Sequence, residues 1–197
     1  MRRITLLFIA LLGLTACGAD PTWAPDELVT KAHVATSNPP TLTLFTVVNV
    51  NSGNGGHSAL LVDGRERVLF DPAGSFYHPH LPERNDVIYG MTDPAVDFFI
   101  DYHSRESWRV VRQDLVVPPE IAAEALALVK ENGPVPKAFC ANSISNVLAQ
   151  LPGFESVRTT MFPVPLMEQF ATYQGVVTHE FHDMDVNNNG QLIARGI

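Results

Sequence analysis

The chain has 197 residues, 46% of them hydrophobic, with 13 basic against 21 acidic side chains and a net charge of −8. That balance excludes a protein that grips nucleic acid or an anionic membrane surface by charge. No apolar run is long enough to span a bilayer, and the length suits one domain with a sizeable core.

Residues 1–16 read as a secretory signal. Arg2 and Arg3 precede an apolar run from Ile4 to Leu14, too short and wrongly flanked for a spanning helix. The next residues, Leu14-Thr15-Ala16-Cys17, resemble the bacterial lipobox, in which the peptide is cut before a cysteine that then carries lipid. An ordinary signal peptide cut nearby is the alternative. Gly18 stands where some bacteria read an inner-membrane retention Asp, which points to the outer membrane of the cell envelope. The expectation is a lipoprotein anchored through acyl chains such as palmitate on Cys17 and otherwise in water. Without Arg2 and Arg3 the balance becomes 11 basic against 21 acidic residues, or −10.

Residues 17–40 hold four prolines and read as a lipid-anchored tether, with one short helix in 26–35. From Thr41 the segment LTLFTVVNV is β-branched and aromatic, hence a strand. A glycine-rich loop leads to a second strand, His57 to Asp63, and a tight turn at Gly64 leads to a third, Arg67 to Asp71. Three strands on short turns predict an antiparallel meander.

His57 opens the middle strand after Gly55 and Gly56, small residues that would let a substrate backbone come close. It is equally a histidine at a strand end. Asp71 closes the neighbouring strand, where a carboxylate could hold the imidazole's tautomer; Asp before Pro72 is also an ordinary turn start. The stretch GSFYHPHLPERND reads as a loop forming a wall or lid through Phe76, Tyr77, His78 and His80. The last two lack a nearby third metal ligand.

A short strand is expected over 86–91, then a helix capped by Asp93-Pro94 and ending near His103. Trp108 to Val117 reads as a strand, and Pro119-Glu120 opens a helix with Ile121, Ala125, Leu128 and Val129 on one stripe. Pro134 and Pro136 lead into KAFCANSISNVLAQL, an amphipathic helix over 137–151 with Cys140 in its first turns. A thiol there feels the positive end of the helix dipole, which favours thiolate, although a buried core thiol fits the same pattern. With Cys17 lipidated, Cys140 is a lone thiol in an oxidising compartment. A proline-led helix near 166–173 follows.

Residues 176–197 read as a tail. Asp185, Asn187, Asn189 and Gly190 match the first half of an EF-hand loop, but Gly196 stands where a bidentate Glu is needed, so a polar turn is the simpler reading. His179 and His182 make no stronger metal case.

The order Gly56-His57-Ser-Ala-Leu-Leu-Val, then Phe70-Asp71-Pro-Ala-Gly74, then Phe139-Cys140-Ala-Asn-Ser-Ile-Ser-Asn-Val-Leu148 resembles the circularly permuted NlpC-like branch of the papain-like superfamily. Lecithin:retinol acyltransferase-like proteins share that layout, and the resemblance covers roughly residues 43–173. It implies an α+β fold, an antiparallel sheet packed with helices, occupying residues 41–175. It further implies Cys140 as nucleophile, His57 as general base and Asp71 as the residue that orients it, with no metal or organic cofactor. The families vary at the third place between His, Asn, Gln and Asp. Ser58, Tyr77 and Asn142 are the candidate substrate-binding residues, and the oxyanion donor stays open between backbone amides and Ser58 or Asn142. The activity implied is hydrolysis of an amide or ester, with peptidoglycan peptides the guess from location. Acyl transfer or lipid deacylation is the alternative, as is a silent binding lipoprotein in which Cys140 lies far from His57.

Overall fold

The computed structural model describes residues 18, 19 and 21–186. The predicted signal, Cys17 and most of the EF-hand-like stretch lie outside the described residues. Among those described, seven strands form one antiparallel sheet and five helices pack on it, an α+β architecture.

The strands are β1 (Thr41–Asn49), β2 (Gly55–Asp63), β3 (Arg67–Phe70), β4 (Glu83–Arg84), β5 (Val87–Ile88), β6 (Trp108–Val116) and β7 (Val177–Phe181), in sheet order β4-β5-β3-β2-β1-β6-β7. The expected meander is β1–β2–β3, with Thr41 opposite Asp63 and Leu60 opposite Phe70. The helices are α1 (Asp26–Lys31), α2 (Asp93–His103), α3 (Pro119–Glu131), α4 (Cys140–Leu148) and α5 (Pro163–Ala171).

Side chains alternate across the central strands, so both sheet faces are covered. Leu42, Leu44, Leu60, Val62 and Phe70 join a core with α3, α4 and α5. Phe45, Ala59, Leu61 and Leu69 join a second core with α2 and the segment after β3. This two-sided burial makes β1 and β2 near-continuous apolar runs.

Several boundaries differ from the sequence reading. The strand expected over 86–91 is only Val87–Ile88, because Asn85 and Asp86 take positive φ (46° and 67°) in a tight turn back to β4, and Gly90 (φ 85°) ends the strand. Helix α2 is capped by Thr92, whose Oγ1 accepts from the Ala95 amide; Asp93 is turned instead to Arg67. Helix α4 starts at Cys140, not at Lys137, because Ala138 sits at φ 70° and Phe139 is the non-helical N-cap. The stretch read as a tail supplies β7, which pairs along β6 from Val110–Phe181 to Asp114–Val177. In the stretch read as a tether, α1 docks on the body: Val29 and Ala32 touch the first core, and the Arg84 guanidinium lies over the Trp23 ring.

Candidate active site

Three elements bring chemistry to one end of the sheet. His57 stands in β2 opposite Val47, just where the β1–β2 register shifts. Asp71 follows the last residue of β3, and Cys140 is the first residue of α4. His57 Nε2 donates to Asp71 Oδ1 at 2.6 Å, with the Asp71 side chain 2% exposed. That bond leaves Nδ1 as the ring nitrogen for the thiol, and Cys140 is hydrogen-bonded to the His57 side chain. The sequence reading set these three together, and the fold does bring them together.

The electrostatics follow from that chain of contacts. Burial disfavours the charged His57 ring, yet the Asp71 carboxylate, by charge and hydrogen bond, and then Cys140 push its pKa up to about 10. Burial also pushes the Cys140 thiol up. The hydrogen bond and charge of His57, with the Ser58 and Ala141 backbone amides, more than offset it and hold the thiol below its ordinary range. Both shifts favour the thiolate–imidazolium form of the pair.

Two neighbours fix Asp71. A Cβ on Gly74 would lie 1.8 Å from Asp71 Oδ2, so only glycine lets the 71–74 turn close over the carboxylate. The Asp71 amide donates to the Asp86 carbonyl at 2.8 Å, while Asp86 Oδ2 accepts from the Val135 amide at 2.7 Å. Asp86 thus ties the Asp71 turn to the loop that delivers Cys140. Burial, and then Asp71 among its charged neighbours, raise the Asp86 pKa, and burial raises that of Glu83 beside it.

His103, the last residue of α2, was read only as a helix end. Its ring stacks on His57 with centroids 5.7 Å apart and planes 15° from parallel. Nδ1 donates to the Phe99 carbonyl at 2.9 Å, and Phe99 and Tyr102 hold the ring from the sides. Burial, and then the charge on His57, push its pKa down to about 4. A neutral imidazole therefore lies flat against the charged one. Asp86 was read only as the start of a strand and His103 only as a helix end.

The other predicted residues divide. Ser58 is fully buried, its amide donates to the thiol, and its Oγ has no partner among the described residues. Thr46, directly opposite, has an equally unpartnered hydroxyl. Asn142 lies two residues on from Cys140, about 200° round the helix, and its Oδ1 accepts from Asn146. Tyr77, 58% exposed, lines a cleft of about 230 Å³ with Gly74, Phe76, Glu83, Asp86 and Lys137.

The glycines before His57 serve a different purpose from the one expected. A Cβ on Gly55 would meet Pro163 at 2.6 Å, and one on Gly56 would meet the Trp108 ring at 2.6 Å. Their lack of side chains admits the protein's own Pro163 and Trp108, which wall the site. His78 is buried, accepts from the His80 amide and presents its ring to Phe98. Phe76 packs among Phe99, Tyr102 and His103 as core. His182 donates to the Glu106 carbonyl, and His179 lies in exposed β7 opposite Arg112. Among the described residues no three metal-ligating side chains cluster, and no helix is long and apolar enough to cross a membrane.

Comparison with protein-family models, curated proteins and solved structures gives no match to this chain.

Proposed function

We propose that this protein is a cysteine hydrolase of permuted papain-like architecture, carried as a lipid-anchored envelope protein, that cleaves an amide or ester. One observation carries the reading: the bonded chain from Cys140 through His57 to Asp71, in which the thiol is held below its ordinary pKa range.

In this reaction the Cys140 thiolate attacks the acyl carbon, and the carbonyl electrons move to oxygen. The Cys140 amide, at an α4 N-terminus that no side chain caps, is the candidate donor to that oxyanion. As the intermediate collapses, His57 gives its proton to the leaving amine or alcohol and a thioester remains on Sγ. Neutral His57 then takes a proton from water, hydroxide adds to the thioester, and the carboxylic product leaves Sγ as thiolate. Asp71 holds the ring through Nε2 in both half-reactions. A peptidoglycan stem peptide is one amide available at the proposed location. Acyl transfer to a second nucleophile is the same chemistry with water replaced, and Phe139, exposed immediately before Cys140, favours acyl substrates.

Thiol reactivity tests the reading. Cys140 should be alkylated by iodoacetamide well below pH 8, and His57→Ala should abolish that low-pH reactivity. An inert native thiol, or a His57→Ala variant with an unchanged pH profile, sinks it. Loss of new products from cell-wall fragments or acyl esters in Cys140→Ala, followed by mass, identifies the substrate separately.

A further inference from the structure

The first described residues and five of the ten exposed large apolar side chains gather at the end of the sheet that carries Cys140, whereas Val116 and Val177 are exposed toward the opposite end. The opposite end is the Gly64-Arg65-Glu66 turn, about 27 Å away along the nine residues of β2. Gly18 and Ala19, which follow Cys17, line the cleft beside Gly74, Tyr77 and Lys137. The described chain therefore begins at the catalytic end, at Gly18.

Around that mouth Trp23, Tyr77, Phe139, Met161 and Phe162 are 66%, 58%, 42%, 39% and 68% exposed. Phe139 immediately precedes Cys140. Phe162 precedes Pro163, which packs on Gly55, and Trp23 bridges to Arg84 on the β4 edge. Single exposed apolar residues are ordinary, but such side chains around one mouth mark a contact surface. Aromatic residues of this kind favour the interfacial layer of a bilayer. The other half of the same end carries Asp97, Asp101, Glu180 and Asp183 around a depression of about 410 Å³ beside β7, with Arg105 shared between Asp101 and Asp183 and Arg109 on Glu180, which leaves the edge net acidic.

We infer that the β4–β2 half of the catalytic end docks on the bilayer through Trp23, Tyr77, Phe139, Met161 and Phe162, so that the thiolate meets an acyl substrate held in the lipid surface. The reaction rests on the hydrolase reading above, and the tether on lipid at Cys17. The acidic β7 edge stays in water, and the docking is apolar, suited to zwitterionic lipid.

The test uses the full lipidated chain in phosphatidylcholine vesicles. An environment-sensitive fluorescent amino acid is placed at position 162 and, in a second preparation, at exposed position 65 on the opposite end. Position 162 should shift to the blue and be quenched by shallow brominated phosphatidylcholine at least about threefold more than position 65. Equal quenching overturns the proposal. So does a blue-shifted position 162 that labelled lipid does not quench, which would mean that the N-terminal segment itself covers the surface. With the fluorophore at position 77, Met161→Asp combined with Phe162→Asp should lower quenching by a similar factor, and unchanged quenching overturns the proposal. Iodoacetamide reactivity of Cys140 in the same vesicles separates the two readings. A reactive thiol without lipid contact overturns the docking alone, and an inert thiol with lipid contact overturns the chemistry alone.

Discussion

The His57–Asp71 bond sets the charge on the imidazole and, through it, the charge on sulfur. Replacing the carboxylate by an amide removes an opposite charge at 2.6 Å, a neighbour worth about 1–3 pKa units. Asp71→Asn should therefore slow Cys140 alkylation at pH 6 by roughly tenfold or more, with little change at pH 10, where any thiol ionises. An unchanged rate at pH 6 would show that the helix terminus alone ionises the thiol. Gly74→Ala tests the same bond from the other side. Its methyl group lands on the carboxylate, so Asp71 must leave His57 or the turn must open. The expected outcome is the alkylation profile of Asp71→Asn with a folded circular-dichroism spectrum.

At the scale of elements, α4 holds Cys140 by burying Ile144, Val147 and Leu148 in the core it shares with β2. Ile144, fully buried, is the middle of that stripe. Ile144→Ala should cost about 2–5 kcal/mol in urea unfolding. The loop before α4 has a separate fastening, the Val135 amide on Asp86. Asp86→Ala leaves that amide unbonded, at about 1–3 kcal/mol, and frees the loop from the Asp71 turn. It should reduce alkylation at pH 6 more than Ile144→Ala does, although it costs less stability. The reverse order would mean that α4 packing alone positions the thiol.

For the whole molecule, the proton count of the site decides how stability responds to pH. A raised His57 pKa alone gives stability that is complete below about 6.5 and lost as pH rises toward about 10. A lowered Cys140 pKa acts in the opposite sense, adding stability as pH rises toward the ordinary thiol value. Over the neutral range, between the ordinary imidazole and thiol values of about 6.5 and 8.5, the two contributions oppose each other. Cys140→Ala removes the second and leaves Asp71 to hold the His57 pKa up, so its urea midpoint should fall from about pH 6.5 to 8.5, whereas that of the unaltered protein should change less. Below pH 6.5 His103 takes over. Held neutral down to about 4, it binds fewer protons folded than unfolded, so stability is lost as pH falls through that range. His103→Phe should flatten that acid limb.

The same scale separates what the residue string carried from what it could not. The meander was legible because β-branched runs and tight glycine turns are local signals. Cys140, His57 and Asp71 were legible because their chemistry belongs to the residue type. Asp86 and His103 act through position alone: one through a positive-φ turn that aims two hydrogen bonds, the other through a helix terminus that happens to end over an imidazole. Gly55 and Gly56 were visible, but their partners, Pro163 and Trp108, come from segments far along the chain. Strand β4 has two residues, too few to show any alternation.

Cys140 and His57 are 83 residues apart, and the thiol reaches the imidazole only when α4 packs across β2. Until that contact forms, the sulfur has no imidazolium beside it and no helix terminus behind it, and its acidity is that of any thiol in a loose chain. The unfolded polypeptide therefore carries only the small thiolate fraction of an ordinary cysteine at neutral pH, and the added acidity of the thiol comes with tertiary structure.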